Sequence, residues 1–203
     1  VDSGTFDWGQ NDKYPSLAQP EEAYHGLNFY ESFGDLAYTT YGHAVGLRDL
    51  GPTMAPMNAY LTIMGIETLA LRMEKHVANA EVVANYLHNH AKVSWVSYAG
   101  LEESNYFHLA KKYLPKGAGS VFTFGIKGGY DAGVKFVEKC QLLSHLANIG
   151  DTRSLVLHPA STTHRQLTET QRISAGAGDD VIRLSIGLET VEDIIADLEQ
   201  ALR

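Results

Sequence analysis

The chain has 203 residues, 44% hydrophobic and 20% charged, a balance that suits a globular protein of one large domain or one and a half small ones. A formal net charge of -8 argues against a surface built for nucleic acid or anionic lipid. No apolar run approaches the roughly 20 residues that span a bilayer, and a single cysteine, Cys140, excludes an intramolecular disulfide and any cysteine-based metal cluster.

The sequence opens Val1-Asp-Ser-Gly-Thr-Phe-Asp-Trp8, without a methionine and without the features of a signal peptide. It reads as the end of a strand running into a loop, so a fragment or proteolytic product is expected. With one cysteine, a reducing compartment such as the cytoplasm fits. Residues 1–55 are punctuated by Gly4, Gly9, Pro15, Pro20, Gly26 and Gly34 and show little periodicity beyond one helix within 32–49. Their aromatics, among them Phe6, Trp8, Tyr14, Tyr24 and Phe29, call for a partner surface, and the segment is not expected to fold alone.

Pro56 suits the first turn of a helix. From there apolar residues recur at helical spacing through Met57, Tyr60, Leu61, Met64, Leu69, Met73, Val77, Val83 and Leu87, which predicts one long helix over 56–91, with a bend at Gly65. Residues 92–203 then alternate strands and helices. Strands are predicted at 93–98, 120–127, 144–148, 154–158 and 181–186, and helices at 106–113, from an Asp131 cap to Cys140, from a Thr168–Gln171 capping box to Gly176, and from Thr190 to the end. The connections are short, some of them fit for antiparallel neighbours. The expected architecture is α/β: a two-layer domain with one sheet open on one face.

Within the strand 181–186, Ile182, Leu184 and Ile186 point one way and Val181, Arg183 and Ser185 the other. If the apolar side meets the helices, Arg183 looks out of the opposite face. A guanidinium there is either part of a structural ion pair or solvated face, or a bidentate clamp for a carboxylate. Asn148, at a strand end, is fit to bond a ligand oxygen or its own turn. His158 with His164, and His88 with His90, lack a third ligand at a persuasive metal spacing. Lys127 stands in no phosphate-loop context, and no nucleophile elbow occurs. The residues alone identify no catalytic nucleophile, no metal site and no cofactor site.

Several segments occur together and in order: Tyr24-His-Gly-Leu27, Leu47-Arg-Asp-Leu-Gly51, Pro56-Met-Asn-Ala-Tyr60, Gly65-Ile-Glu-Thr-Leu-Ala-Leu-Arg-Met73, Leu114-Pro-Lys-Gly-Ala-Gly119, Thr123-Phe-Gly-Ile-Lys-Gly-Gly129, His145-Leu-Ala-Asn-Ile-Gly150, Ser154-Leu-Val-Leu-His-Pro-Ala-Ser-Thr-Thr-His164 and Arg183-Leu-Ser-Ile-Gly-Leu-Glu189. In this set the chain resembles the C-terminal half of the pyridoxal-phosphate-dependent cysteine and methionine metabolism family, its O-acetylhomoserine sulfhydrylases in particular. The resemblance implies the small C-terminal domain of a fold-type I transferase over 92–203, a mixed and largely antiparallel sheet with helices on one face. It implies an inter-domain helix over 56–91 and the tail of the large cofactor domain over 1–55. It assigns Arg183 and Asn148 to substrate binding, Arg183 to the amino acid's carboxylate. The implied reaction takes O-acetyl-L-homoserine and sulfide to L-homocysteine and acetate, in a cytoplasmic homo-oligomer, usually a tetramer. The family's cofactor lysine lies in a Ser-x-Thr-Lys segment that this sequence lacks, so pyridoxal 5'-phosphate is expected in the full-length enzyme and not on this chain alone. A related γ-lyase, a cystathionine γ-synthase, or a non-catalytic domain binding an amino acid or a partner chain are the alternatives.

Overall fold

The computed structural model describes residues 3–10 and 12–203; Val1, Asp2 and Asn11, part of the expected 1–55 segment, lie outside the described residues. The chain forms two compact units, Val1–Met64 and Gly65–Arg203.

The first unit carries three short helices, α1 (Pro15–Ala18), α2 (Phe29–Phe33) and α3 (Ala37–Tyr41), the last continuing into a wide π-type turn over Gly42–Asp49. Asn28 starts α2, its side chain accepting from the Glu31 N–H at 3.1 Å while donating to the Ala18 carbonyl at 2.9 Å. The aromatics partner one another. Trp8 stacks on Tyr38 and meets Phe6 and Tyr14 edge-on or tilted, and Phe29 contacts Tyr24, Phe33 and Tyr41. Among its described residues only Leu17, Phe29 and Ala37 are buried, a small core for a segment of this length.

The long helix expected over 56–91 is two helices, α4 (Pro56–Glu67) and α5 (Leu69–His88), separated at Thr68. Thr68 sits at φ -104°, ψ 2°, outside the helical region. Arg72 reaches back over the break, donating to the Gly65 carbonyl at 2.7 Å and to the Thr68 hydroxyl at 3.3 Å. The inward stripe also differs from the expected one. Met57, Met64, Leu69 and Met73 are exposed, and α5 instead buries His76, Asn79, Ala80, Val83, Ala84 and Leu87.

The second unit is built on a five-stranded sheet of β1 (Val93–Ser97), β2 (Val121–Ile126), β3 (Ser144–His145), β4 (Leu155–Leu157) and β5 (Val181–Ser185), in spatial order β1-β2-β5-β4-β3. Only β3 and β4 pair in parallel; the other three pairings are antiparallel. Helices α6 (Phe107–Tyr113), α7 (Gly129–Lys139), α8 (Glu169–Ser174) and α9 (Val191–Leu202) complete it. Phe122, Phe124 and Ile126 of β2 and Ile182, Leu184 and Ile186 of β5 share one buried cluster with α5, with Phe136 and Val137 of α7, and with Ile194, Leu198 and Leu202 of α9. The period-two alternation therefore orients both central strands as expected, apolar face to the helices.

Two local expectations change. Helix α7 begins at Gly129 behind a left-handed Gly128 (φ 108°), where a side chain is strained, so Gly128 and not Asp131 makes the helix start. The strand expected over 144–148 pairs only at Ser144 and His145, and 146–150 is exposed loop. The capping box of α8 forms, with Thr168 and Gln171 bonding each other's backbone N–H groups.

Candidate functional site

Arg183 occupies the middle of β5, with Thr123 of β2 and Leu157 of β4 as its cross-strand partners. Its neighbours in sequence, Ile182 and Leu184, are fully buried against the helices, so alternation turns the guanidinium to the other face. It is half-buried there. Among the described residues its one hydrogen bond runs from Nη2 to the Asn148 carbonyl at 3.2 Å. Among the described residues no carboxylate lies within 4.0 Å of it. Other arginines are paired: Arg172 with Asp179 at 2.9 Å, Arg203 with Glu199 at 3.6 Å, and Arg153 with Asp151, whose carboxyl is pulled down to about 2 by that contact. A half-buried guanidinium without an anion is an arrangement ready for one.

Asn148 meets Arg183 through its backbone and not through its amide. The side-chain Oδ1 accepts from the Ile149 N–H at 2.8 Å, and the side chain contributes, after Arg153, to holding the Asp151 carboxyl low. The side chain is thus engaged in its own exposed loop. Ser185, two residues along the same face as Arg183, is buried with its hydroxyl unpartnered among the described residues.

The segment after β5 is held from two sides. Glu189 grips the start of β4, its carboxylate accepting from the Ser154 N–H at 2.7 Å and the Ser154 hydroxyl at 2.9 Å. Ser154 Oγ in turn accepts from the Gly187 N–H at 2.8 Å. From α5, the His76 ring Nδ1 lies 2.6 Å from the Ile186 carbonyl, and the Asn79 amide donates to the Gly187 and Glu189 carbonyls at 3.0 and 2.9 Å. His76 and Asn79 are not among the residues singled out by the sequence. The available signal was two polar residues at 76 and 79 in register with Ala80, Val83 and Leu87 on one helix face.

The histidines do other work. His158 is fully buried; a carbonyl only accepts, so its Nε2 carries the proton donated to the Asp179 carbonyl at 2.9 Å, and its Nδ1 accepts from Ser161 Oγ at 2.9 Å. His164 pairs with Thr163, His88 faces Glu103 at 3.9 Å, and His90 faces Glu199 at 3.3 Å. Neither His pair converges on a common point with a third ligand among the described residues. Lys127 is exposed and donates to the Ala91 carbonyl at 2.8 Å; all nine lysines are exposed. Two cavities of about 370 and 390 Å³ lie between α5 and residues 114–119, lined in part by Glu74, Val77 and Lys116, away from Arg183. No helix is long and apolar enough to cross a membrane among the described residues.

Residues 11–203 match the family described as Cys/Met metabolism PLP-dependent enzyme. Over its whole length the chain is 51% identical to a homocysteine synthase of Schizosaccharomyces pombe and 46% identical to an O-acetyl-L-homoserine sulfhydrylase of Leptospira meyeri, covering 47% and 48% of those proteins. A crystal structure of a putative O-acetylhomoserine (thiol)-lyase from Campylobacter jejuni, containing N'-pyridoxyl-lysine-5'-monophosphate, superposes with a TM-score of 0.83 at 43% identity, over 95% of this chain and 46% of that one. The chain thus spans about half the length of the relatives it matches. With a family match over nearly all of its residues, the chain belongs to the Cys/Met metabolism PLP-dependent enzyme family.

Proposed function

We propose that this chain is the C-terminal portion of a pyridoxal-phosphate-dependent O-acetylhomoserine sulfhydrylase, which converts O-acetyl-L-homoserine and sulfide to L-homocysteine and acetate. The names of the relatives support the reaction. The observation that carries the chain's own role is Arg183, half-buried on the sheet face opposite the helical core, among the buried Val181, Ser185 and Leu157, and without a carboxylate partner among the described residues. In this reading its guanidinium binds the α-carboxylate of the amino acid, and the fork geometry fixes the substrate's orientation as well as its charge. The carbonyl of Asn148 steers the guanidinium, and its substrate-binding role is read through that carbonyl, the side chain being engaged with the Ile149 N–H.

The residues present do not fit the cofactor. A Schiff-base lysine works from a desolvated position that lowers its pKa, whereas every lysine here is exposed and none stands in a Ser-x-Thr-Lys sequence. The cofactor therefore belongs to the remainder of a family-length protein. On the same reading residues 1–55 are the tail of the large cofactor domain, 56–91 the inter-domain segment and 92–203 the small domain of a cytoplasmic homo-oligomer.

The test is Arg183→Ala in the family-length enzyme. The KM for O-acetyl-L-homoserine should rise by about 10–100-fold, the scale of a lost charge-assisted bond, while the cofactor absorbance and the KM for sulfide stay near wild type. An unchanged KM for O-acetyl-L-homoserine would contradict the role.

A further inference from the structure

We propose that His76 is a positioning residue for the carboxylate site: its imidazole, with Asn79 one turn on, latches α5 to the segment that fixes both Arg183 and the loop of Asn148. The inference rests on the reading of Arg183 as the carboxylate clamp. Residues 186–189 are the junction. The Ile186 N–H donates to the Ser120 carbonyl at 2.9 Å, and the Ile186 carbonyl faces His76 Nδ1 at 2.6 Å. The Gly187 N–H goes to Ser154 and its carbonyl to Asn79. The Leu188 N–H donates to the Thr152 carbonyl at 2.8 Å, and the Glu189 carbonyl accepts from Asn79. One side of this junction is the strand of Arg183, which ends at Ser185. The other side, through Leu188–Thr152 and Glu189–Ser154, is the end of the loop that carries Asn148. The two side chains of α5 supply three of the bonds, and they lie three residues apart on one helix face.

The chemistry of His76 argues for a directed role. It is 1% exposed on a stripe whose other buried residues, Asn79 apart, are apolar, where a leucine would pack. Its partner is a carbonyl, so Nδ1 carries the proton; Nε2 is left buried without a partner among the described residues. The position accepts an unpaired ring nitrogen and keeps a donor at the δ position. Without that donor the Ile186 carbonyl loses its partner from α5. The junction is then free to shift, and Arg183, three residues before Ile186 in the adjoining strand, shifts with it. Displacements on the ångström scale at a positioning group are enough to cost catalysis.

The test is a double-mutant cycle in the family-length enzyme, with O-acetyl-L-homoserine as the varied substrate. His76→Leu should raise its KM by about tenfold while leaving kcat and the KM for sulfide within about threefold. In an Arg183→Ala background the same change should add less than about twofold, because the group it positions is gone. His76→Asn keeps a donor at the δ position and should restore most of the wild-type KM; His76→Gln moves the donor outward and should behave like His76→Leu. Should His76→Leu fail to accumulate folded, the Asn/Gln pair carries the test alone, read as the difference in KM between them. Equal KM values for His76→Asn and His76→Gln, or a full His76→Leu effect persisting without Arg183, would overturn the latch. An Arg183→Ala enzyme with normal KM would instead remove the carboxylate reading on which it rests.

Discussion

Asp197 accepts from three consecutive backbone N–H groups, those of Gln141, Leu142 and Leu143, at 2.8, 2.9 and 3.0 Å. Burial opposes its ionisation, but the three backbone donors and Gln200 outweigh it and hold the carboxyl below its usual 3.8. A folded-state pKa lower than the unfolded one contributes stability that is complete above pH 3.8 and is lost as the pH falls through the folded value. Asp197→Asn should therefore destabilise the protein at neutral pH by about 1–3 kcal/mol in urea unfolding, since an amide puts an N–H against at least one backbone donor. The gap to wild type should narrow at acid pH, and a gap independent of pH would show that the charge is not what holds the turn. Cys140, beside this turn, has its thiol pushed up to about 12 by burial first and by Asp197 second, so it stays a neutral packing residue. At this scale the sequence made Arg183 legible, because a charge between Ile182 and Leu184 is conspicuous. Asp197 stayed invisible because its partners lie more than fifty residues away along the chain.

At the scale of elements, the strands could be read because one face of each meets the helices and period-two alternation encodes that face, as Phe122, Phe124 and Ile126 illustrate. Apolar spacing misplaces the inner face of helix α5 for the opposite reason. Its outward positions include the exposed apolar residues Leu69, Leu71 and Met73, while its buried stripe contains His76, Asn79 and two alanines. Apolar spacing located the helix but not its inner face. The loop after β5 depends on a glycine. A Cβ on Gly187 would come within 2.4 Å of the Thr152 carbonyl oxygen and 2.5 Å of the Arg153 carbonyl carbon, both backbone atoms that side-chain rotation cannot move aside. Gly187→Ala should cost about 1–3 kcal/mol in urea unfolding, the range of an overpacked core position, and should raise the KM for the amino-acid substrate in the family-length enzyme. A variant as stable as wild type would mean that the β4 and β5 segments are not held at this spacing.

For the whole molecule, helix α4 is apolar yet buries nothing: Met57, Tyr60, Leu61, Ile63, Met64 and Ile66 are each 45–64% exposed. A helix apolar on all sides is ordinarily an interior helix of a larger body, and the relatives are about twice as long as this chain. The first unit, with three buried apolar residues, carries the same mark. The mutual aromatic packing of its unperiodic segments could not be read in the sequence, because contacts such as Trp8 with Tyr38 join distant residues without a repeating pattern. The second unit, by contrast, carries its own core and presents Arg183, half-buried and without a carboxylate partner among the described residues, which is proposed above to bind the substrate carboxylate. The most direct test of that assignment is to compare, in the family-length enzyme, the dissociation constants of a competing L-amino acid and of the amine that lacks its carboxylate, with and without Arg183→Ala. Wild type should favour the amino acid by about 10–100-fold, and the variant should bind the two within about threefold of each other. Undiminished discrimination in Arg183→Ala would place the carboxylate elsewhere and contradict the account.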